Sequence, residues 1–505
     1  MRGRLLGLLL VAAVSFPATA AAAPVLVMSR TGRVHRANDR FLPAAAPAPA
    51  PASSPRPAAR RPRLAASAAR AKAKPKPKLP TVTSELTRLY RAGQITESAY
   101  TSYSGSWSAA TAAAKHLHGT RAVELGAVIK NVTAMAAAHD FIPSRLPAIF
   151  LTLDRNRQWW TSGPIPYSGQ EMEFTNSNLV WEYYPGQGLE LQVLATFGKA
   201  DGLYTGGPSD YPQLRALLNE MIPLAVQRAG GIAWEYYFRW EGGAPPWTSA
   251  MAQGTGIEAL TRAAKAFGPL SGPSGSSESY LQIAQQALAL FTVAPPTGVR
   301  VATARGARYL QYSFAPNTDI INAFLQSLIG LYDYAQESKN AEAKQLFAAG
   351  NAEAEAEVPE FDTGAWSLYQ PGIEDDLNYH ELVTGFLQQM CSRTRASVYC
   401  TTAQHFETYM KTPPVLRLLT TQATSKRRFS LRFWLSKYSH VGIVITRGTQ
   451  SVLRTSAYFP YQGHSVTVPA LKPGTYQVVL AATDLPGNFT RLVGTLHVSP
   501  PRRST

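Results

Sequence analysis

Cysteine is almost missing from this chain: its 505 residues include two, Cys391 and Cys400. That excludes a small scaffold held together by several disulfides, and it excludes a cysteine-rich zinc site. In an exported chain, two thiols this close in sequence are expected to pair, clipping a helix to its neighbour and stabilising the fold by about 2–3 kcal/mol. Histidine is also scarce, and no His, Cys, Asp or Glu set has a metal-ligating spacing, so neither a metal nor another cofactor is expected. No stretch approaches the roughly 20 apolar residues of a spanning helix, which predicts no transmembrane segment. Acidic residues are missing from the N-terminus, where residues 1–80 carry 15 Lys or Arg against one acid, Asp39. The remaining chain has 34 basic and 31 acidic side chains. The net charge of +17 is therefore a property of the N-terminal tract, and nucleic acid is not an expected partner.

What is present at the N-terminus has a processing pattern. Arg2 and Arg4 precede an apolar core from Leu5 to Val14, then small residues at Ala18, Ala20 and Ala23. Residues 1–23 therefore read as a signal peptide, with a secreted or cell-envelope associated product. Residues 24–80 read as a basic Ala/Pro-rich linker, with Val25 to Met28 able to form one strand. Its Arg56–Lys78 run cannot bury a core.

Order is expected from Thr81. Residues 81–147 have helical spacing in Leu86 and Leu89, then in Leu125, Val128, Ile129 and Val132, predicting helical hairpins. The period changes over 148–210, where short aromatic and β-branched runs (Ala148–Leu153, Glu171–Phe174, Leu179–Tyr184, Leu189–Phe197) predict a small β region. Two glycines flank Gln187 in a turn whose backbone is expected to approach a ligand or another segment closely. Residues 211–424 are mainly helical, with Ile232–Trp240 as a strand or hairpin, and are expected to form an incomplete α/α toroid. From 425 onward, evenly spaced alternating strands predict an immunoglobulin-like β-sandwich. The fold class is thus a mixed α and β multidomain chain.

The organising stretch is Arg308–Asn317, an aromatic polar loop feeding a helix whose Ile321, Phe324, Leu325, Leu328 and Leu331 share one face, with Asn317 as candidate cap. Trp247 to Gly254, Trp366 to Gly372 and Asp376 to His380 are similar loop–helix junctions. Tyr184, Trp247, Gln253, Gln311, Asn378 and His380 are candidate substrate-binding residues, because sugars stack on aromatic rings and hydrogen-bond to amides. A tyrosine taken singly is more often a packing residue.

Together the Trp247–Gly254 segment, the Tyr309–Asn322 loop with Ser327–Asp333 behind it, Trp366–Tyr369 and Tyr379-His380 resemble the C-terminal domain of D-glucuronyl C5-epimerases. The resemblance covers roughly residues 170–412. It implies a β region ahead of an α/α-barrel, and inversion at C5 of a glucuronyl unit in an acidic polysaccharide such as heparosan. A homodimer is implied as well. Carried over by position, it makes Tyr312, Tyr369 and Tyr379 the acid/base and carboxylate-contacting residues, with His380 as an orienter. Two departures stand out. The family's glutamate before the loop tyrosine is Gln311 here, and a glutamine is no base. The arginine after the middle tyrosine has no counterpart in Gln370-Pro371-Gly372, leaving Arg308 or Arg239 as candidates to hold the substrate carboxylate. Glycan binding without catalysis and a lyase sharing the first proton abstraction are the alternatives.

Overall fold

A computed structural model describes residues 22–43 and 79–501. It begins with a hairpin, β1 (Ala22–Met28) and β2 (Val34–Pro43). Helices follow: α1 (Val82–Arg91), α2 (Glu97–His116), α3 (Gly119–Ala137) and α4 (Leu146–Ser162). Strands β3 (Glu171–Phe174), β4 (Trp181–Tyr184) and β5 (Gly188–Leu191) lead into α5 (Val193–Thr205) and α6 (Tyr211–Met221). Next come a ribbon, β6 (Val226–Arg228) with β7 (Gly231–Ala233), then α7 (Ala250–Phe267) and α8 (Tyr280–Ala287). A second ribbon, β8 (Arg300–Ala302) with β9 (Ala307–Tyr309), precedes α9 (Ile321–Ser338) and α10 (Ala341–Glu357). A third, β10 (Leu368–Gln370) with β11 (Ile373–Glu374), precedes α11 (Leu377–Thr394) and α12 (Ser397–Tyr409). The last unit contains β12 (Leu416–Leu418), β13 (Gln422–Thr424), β14 (Phe429–Leu435), β15 (Ser439–Arg447), β16 (Gln450–Phe459), β17 (Gln462–Val468), β18 (Gly474–Asp484) and β19 (Phe489–Ser499).

The N-terminal hairpin corrects the expected linker. Residues 24–43 are sheet, in the order β2-β1-β3-β4-β5, with Leu26 paired in parallel to Met172. Val25, Met28 and Leu42 are buried, and Lys199 of α5 reaches both Asp39 (2.7 Å) and Glu173 (2.5 Å). The strand expected at Val25–Met28 is the second half of β1. The expected signal peptide to residue 21 and the basic run of 44–78 lie outside the described residues.

One expected strand is helix and a second is only partly strand. Ala148–Leu153 is inside α4, which starts with Pro147 in its first turn and buries Leu146, Ile149, Phe150, Leu153 and Trp160 on one face. Leu189–Phe197 splits into β5 and the start of α5, whose Val193, Phe197, Ala200 and Leu203 face inward. Ile232–Trp240 is strand only through Ala233; beyond it the chain is irregular, pinned by a bridge between Tyr236 and Trp247. Asn317 caps nothing: α9 starts later, at Ile321, with Ile320 at the cap position.

Helices and sheets from Met28 to Phe406 share one continuous core. The C-terminal unit has its own, in which a three-stranded sheet (β12-β14-β17) faces a five-stranded one (β13-β19-β18-β15-β16). Leu431, Phe433 and Leu435 of β14 meet Val441, Ile443 and Ile445 of β15 in it, each strand burying alternate residues as a half-buried sheet requires. Cys391 near the end of α11 and Cys400 in α12 form a disulfide.

Helices α7 and α9 meet backbone to backbone. A methyl group on Gly254 would lie 2.6 Å from Ser327 Cα, and one on Gly330 would lie 2.0 Å from the Gly254 carbonyl oxygen. Both partners are helix backbone and cannot yield without separating the helices. Replacing Gly330 with Ala should therefore lower stability by about 1–3 kcal/mol in denaturant unfolding, whereas Gly385→Ala, on α11, should be neutral or gain about 0.5–1 kcal/mol. No heavy atom lies within 4 Å of the added methyl at Gly385. Equal effects of the two substitutions would exclude the close-contact explanation.

Candidate functional site

The close helix contact fixes the loops that open α7 and α9. The Ala250 N–H donates to Leu310 O (2.9 Å), the Ser313 N–H to Thr248 O (2.9 Å), and the Thr248 N–H to Ser313 Oγ (3.1 Å). The Ser249 hydroxyl donates to the Gln311 side-chain oxygen at 3.1 Å. Tyr312 is thereby held with its ring edge-on to Trp247 (5.6 Å between centroids) and stacked on Phe314 (5.3 Å). Its hydroxyl has the side chains of Trp240, Tyr369 and Gln311 beside it.

Tyr369 comes from β10 and Tyr379 from the first turn of α11, and their rings meet edge to face at 5.0 Å. Asp376 caps that helix by accepting from the Tyr379 N–H at 2.9 Å. The three tyrosines nominated from the sequence are thus brought together from three separate elements. Burial pushes all three phenols above the ordinary tyrosine range, and each is raised further by its neighbours: Tyr369 and Tyr379 by Tyr312, and Tyr312 by Glu241. They are neutral phenols at pH 7, equipped to donate protons.

Tyr184 of β4 joins them from the other side. Its ring stacks on Phe238 (4.6 Å) and meets Trp240 edge-on (5.5 Å), and its hydroxyl donates to Glu182 Oε2 at 2.9 Å. The Gln192 amide donates to the same carboxylate oxygen (2.8 Å) and to the Tyr184 hydroxyl (2.7 Å), while the Tyr236 hydroxyl donates to the Gln192 carbonyl at 3.2 Å. Glu182 is half-buried, and its charge acts on Tyr184, Tyr236 and Tyr379. The alternating burial of β4 was the available signal, but the sequence does not show what covers its other face.

Other nominated residues are support rather than contact. Gln253 is 1% exposed, donating to Ile232 O and Ala287 O (2.9 Å each) and accepting from the Trp234 N–H. It cannot line a cleft. Trp247 is also buried, its indole N–H on Phe238 O at 2.8 Å, and it is the wall behind Tyr312. Asn378 is exposed at the start of α11, and Gln311 is half-buried beside Tyr312.

His380 is fully buried behind the site and does not reach a substrate. It stacks on Trp366 (3.6 Å), with Nε2 on Phe406 O (3.0 Å) and Nδ1 on Ser367 Oγ (2.7 Å). Burial lowers its pKa to about 4, so it is neutral, with the Nε2 proton on the carbonyl and a bare Nδ1. Ser367 also bonds Asp375, giving one hydroxyl proton for two acceptors. A proton on Asp375, whose pKa burial raises to about 7, would meet the deficit.

Arg308, a candidate for the substrate carboxylate, is committed to Asp319 and Glu357. Arg239 is exposed. The glycines flanking Gln187 approach another segment: Gly186 and Gly188 N–H both donate to Glu124 of α3, at 2.8 and 3.0 Å. Among the described residues no His/Cys/Asp/Glu group could hold a metal ion, and no helix is long and apolar enough to cross a membrane.

Residues 229–408, which include Tyr312, Tyr369 and Tyr379, match the family model for the D-glucuronyl C5-epimerase C-terminus. By sequence this segment is similar to the C-terminal domain of D-glucuronyl C5-epimerases. A relative, D-glucuronyl C5-epimerase of Caenorhabditis elegans, is 38% identical over 138 residues, 25% of this chain and 21% of that protein. The chain thus spans about a fifth of the length of the curated relative it matches. A solved structure, the Cellulomonas fimi endo-beta-1,4-mannanase double mutant, aligns over 74% of this chain and 85% of that one. Its identity is 14% and its TM-score 0.13, so it carries no argument. Tyr184 and Gln192 lie outside the epimerase-family segment, yet Tyr184 stacks on its Phe238 and Gln192 accepts from its Tyr236.

The Asp375 proton makes a pH prediction. A carboxyl whose folded pKa (about 7) exceeds its unfolded one (3.8) binds its proton more tightly in the native state. Its contribution is therefore full at low pH and is lost as pH rises through that interval. Asp375→Asn keeps a donor for Ser367, so its unfolding free energy should fall less steeply than wild type between about pH 4 and pH 7. Parallel curves in denaturant titrations across that range would place the proton elsewhere.

Proposed function

We propose that this protein is a uronic-acid C5-epimerase acting on a polysaccharide, by removing and returning a proton at C5 of a glucuronyl unit. The observation that carries the reading is the convergence of Tyr312, Tyr369 and Tyr379 inside the family-matched segment, with Tyr369 and Tyr379 in ring contact at 5.0 Å. The α-proton of a uronate is removable only if charge developing on the carboxylate is met by donors. Three neutral phenols in a poorly solvated site supply such donors, and one of them can return the proton on the opposite face. The half-buried rings of Tyr184, Trp240, Tyr369 and Tyr379 suit stacking against sugars.

On this proposal the substrate is an acidic, glucuronate-containing polymer of the heparosan type and the protein is secreted or held at the cell envelope. The helices around the tyrosines are read as an incomplete α/α toroid and the C-terminal unit as an immunoglobulin-like accessory. A homodimer is the assembly that the family suggests.

The full chain, incubated with heparosan in heavy water, should place deuterium at C5 without cleaving the polymer, as read by NMR. Tyr379→Phe, which removes one hydroxyl, should cut exchange by about 100-fold or more while the melting temperature holds. An unsaturated product would identify a lyase instead. Binding without exchange would leave a glycan-binding protein, the reading that Gln311 favours.

A further inference from the structure

The site holds acids but lacks an evident base. Its tyrosines are neutral phenols and position 311 is an amide. Of the carboxylates nearby, Asp376 is spent on the α11 cap, Asp375 is sealed beneath Ser367, and Glu241 is solvent-exposed at a turn without a hydrogen bond to orient it. Glu182 remains. Its Oε2 is fixed by Tyr184 and Gln192, whereas Oε1 accepts no hydrogen bond among the described residues. One oxygen is therefore held and the other is uncommitted.

The strand pairing isolates Glu182 further. Glu171 of β3 and Glu190 of β5 stand directly opposite it, forming a row of three carboxyls across the sheet. Like charges so placed repel. Burial raises Glu171 to about 8 and Glu190 well above the ordinary range; Glu171 is 8% and Glu190 2% exposed, and each has an oxygen with no partner. Burial favours the neutral form of both. Glu182 alone in the row has donors that favour its charged form, Gln192 and Tyr184, although burial still raises its pKa. The titratable groups facing it are Glu171, Glu190, Tyr184, Tyr236 and Tyr379.

We infer that Glu182 is the catalytic base of this site, supplying from the β-sheet the carboxylate that position 311 lacks. The inference rests on the epimerase reading. The carboxylate takes the C5 proton, so the C5–H bond breaks as an O–H bond forms on Glu182. The electron pair passes into the uronate carboxylate as an enediolate, held by the phenols. A tyrosine then protonates C5 from the other face, and solvent returns a proton to its phenolate while accepting the one on Glu182. A raised carboxyl pKa suits this task, bringing the base nearer to neutral pH.

The test is steady-state C5 exchange on heparosan in heavy water across pH, with the full chain. Glu182→Gln should lower kcat by about 100-fold or more, change KM by less than about 3-fold, and abolish the rise in rate on the acidic side. Tyr184→Phe removes a donor to the charged form. It should move that acidic limb upward, which a merely structural role would not do. Wild-type exchange together with an unmoved limb in Tyr184→Phe, or an unchanged kcat in a folded Glu182→Gln, overturns the inference and leaves the epimerase reading standing. Absence of exchange in the wild type removes both.

Discussion

The backbone contact between α7 and α9 is the constraint from which the site follows. Two glycines and a serine bring the helix axes close enough for main chain to touch main chain. The chain entering α7 then lies against the chain entering α9, and three backbone-donated hydrogen bonds fix one against the other. Trp247, at the start of one loop, becomes the wall for Tyr312 in the other. A larger residue at Gly254 or Gly330 would separate the helices and loosen the loop carrying the tyrosine, far from any substituted atom. Small residues here set the precision of a site to which they contribute no chemistry.

The small sheet imposes the second constraint. Two adjacent strands, β2 and β1, come from the N-terminus and the other three from beyond α4, so the sheet is closed by contacts of long sequence separation. Lys199 holds Asp39 and Glu173 together at its edge, while the Glu171–Glu182–Glu190 row crosses its middle. One face of β4 sends Tyr183 to Glu124 and the helices; the other sends Glu182 and Tyr184 to the tyrosine cluster. A four-residue strand therefore serves the core with one face and the site with the other.

Much of this was legible where a local period decides structure. The faces of α1 and α3, and the alternation of β14, β15 and β18, can be read from spacing because each element buries one side against a core. Legibility failed where a distant partner decides. The tract at 24–43 resembles a linker in composition, and only its pairing with β3 makes it sheet. Ala148–Leu153 is apolar enough for either structure, and the longer pattern to Trp160 settles it as helix. At the site, the family resemblance nominated Tyr312, Tyr369 and Tyr379, which the fold brings together, but neither it nor residue type separates side chains facing the cleft from those behind it. Gln253, Trp247 and His380 have suitable chemistry and are buried, whereas Glu182, which was not nominated, is half-buried beside Tyr184. Burial on one particular face is a tertiary property, and no single sequence displays it.

The C-terminal unit is bound into the same arrangement. Glu374, at the end of the ribbon that carries Tyr369, accepts from the backbone N–H groups of Tyr438 (2.8 Å) and Tyr461 (2.7 Å) in that unit. Lys437, with 2% of its side chain exposed, pairs with Asp484 at 2.6 Å, donates to the carbonyls of Tyr409 and Thr412 after α12, and lies 5.3 Å from the centre of the Trp366 ring. Trp366 in turn stacks on His380, the residue after Tyr379. A buried ammonium with this many partners is costly to displace, because every partner would be left unsatisfied. The β-unit thus grips both the ribbon of Tyr369 and the layer beneath Tyr379. Two tyrosines of the cluster depend for their position on a unit that contributes none of the three, and this makes the C-terminal sheets part of the site's framework.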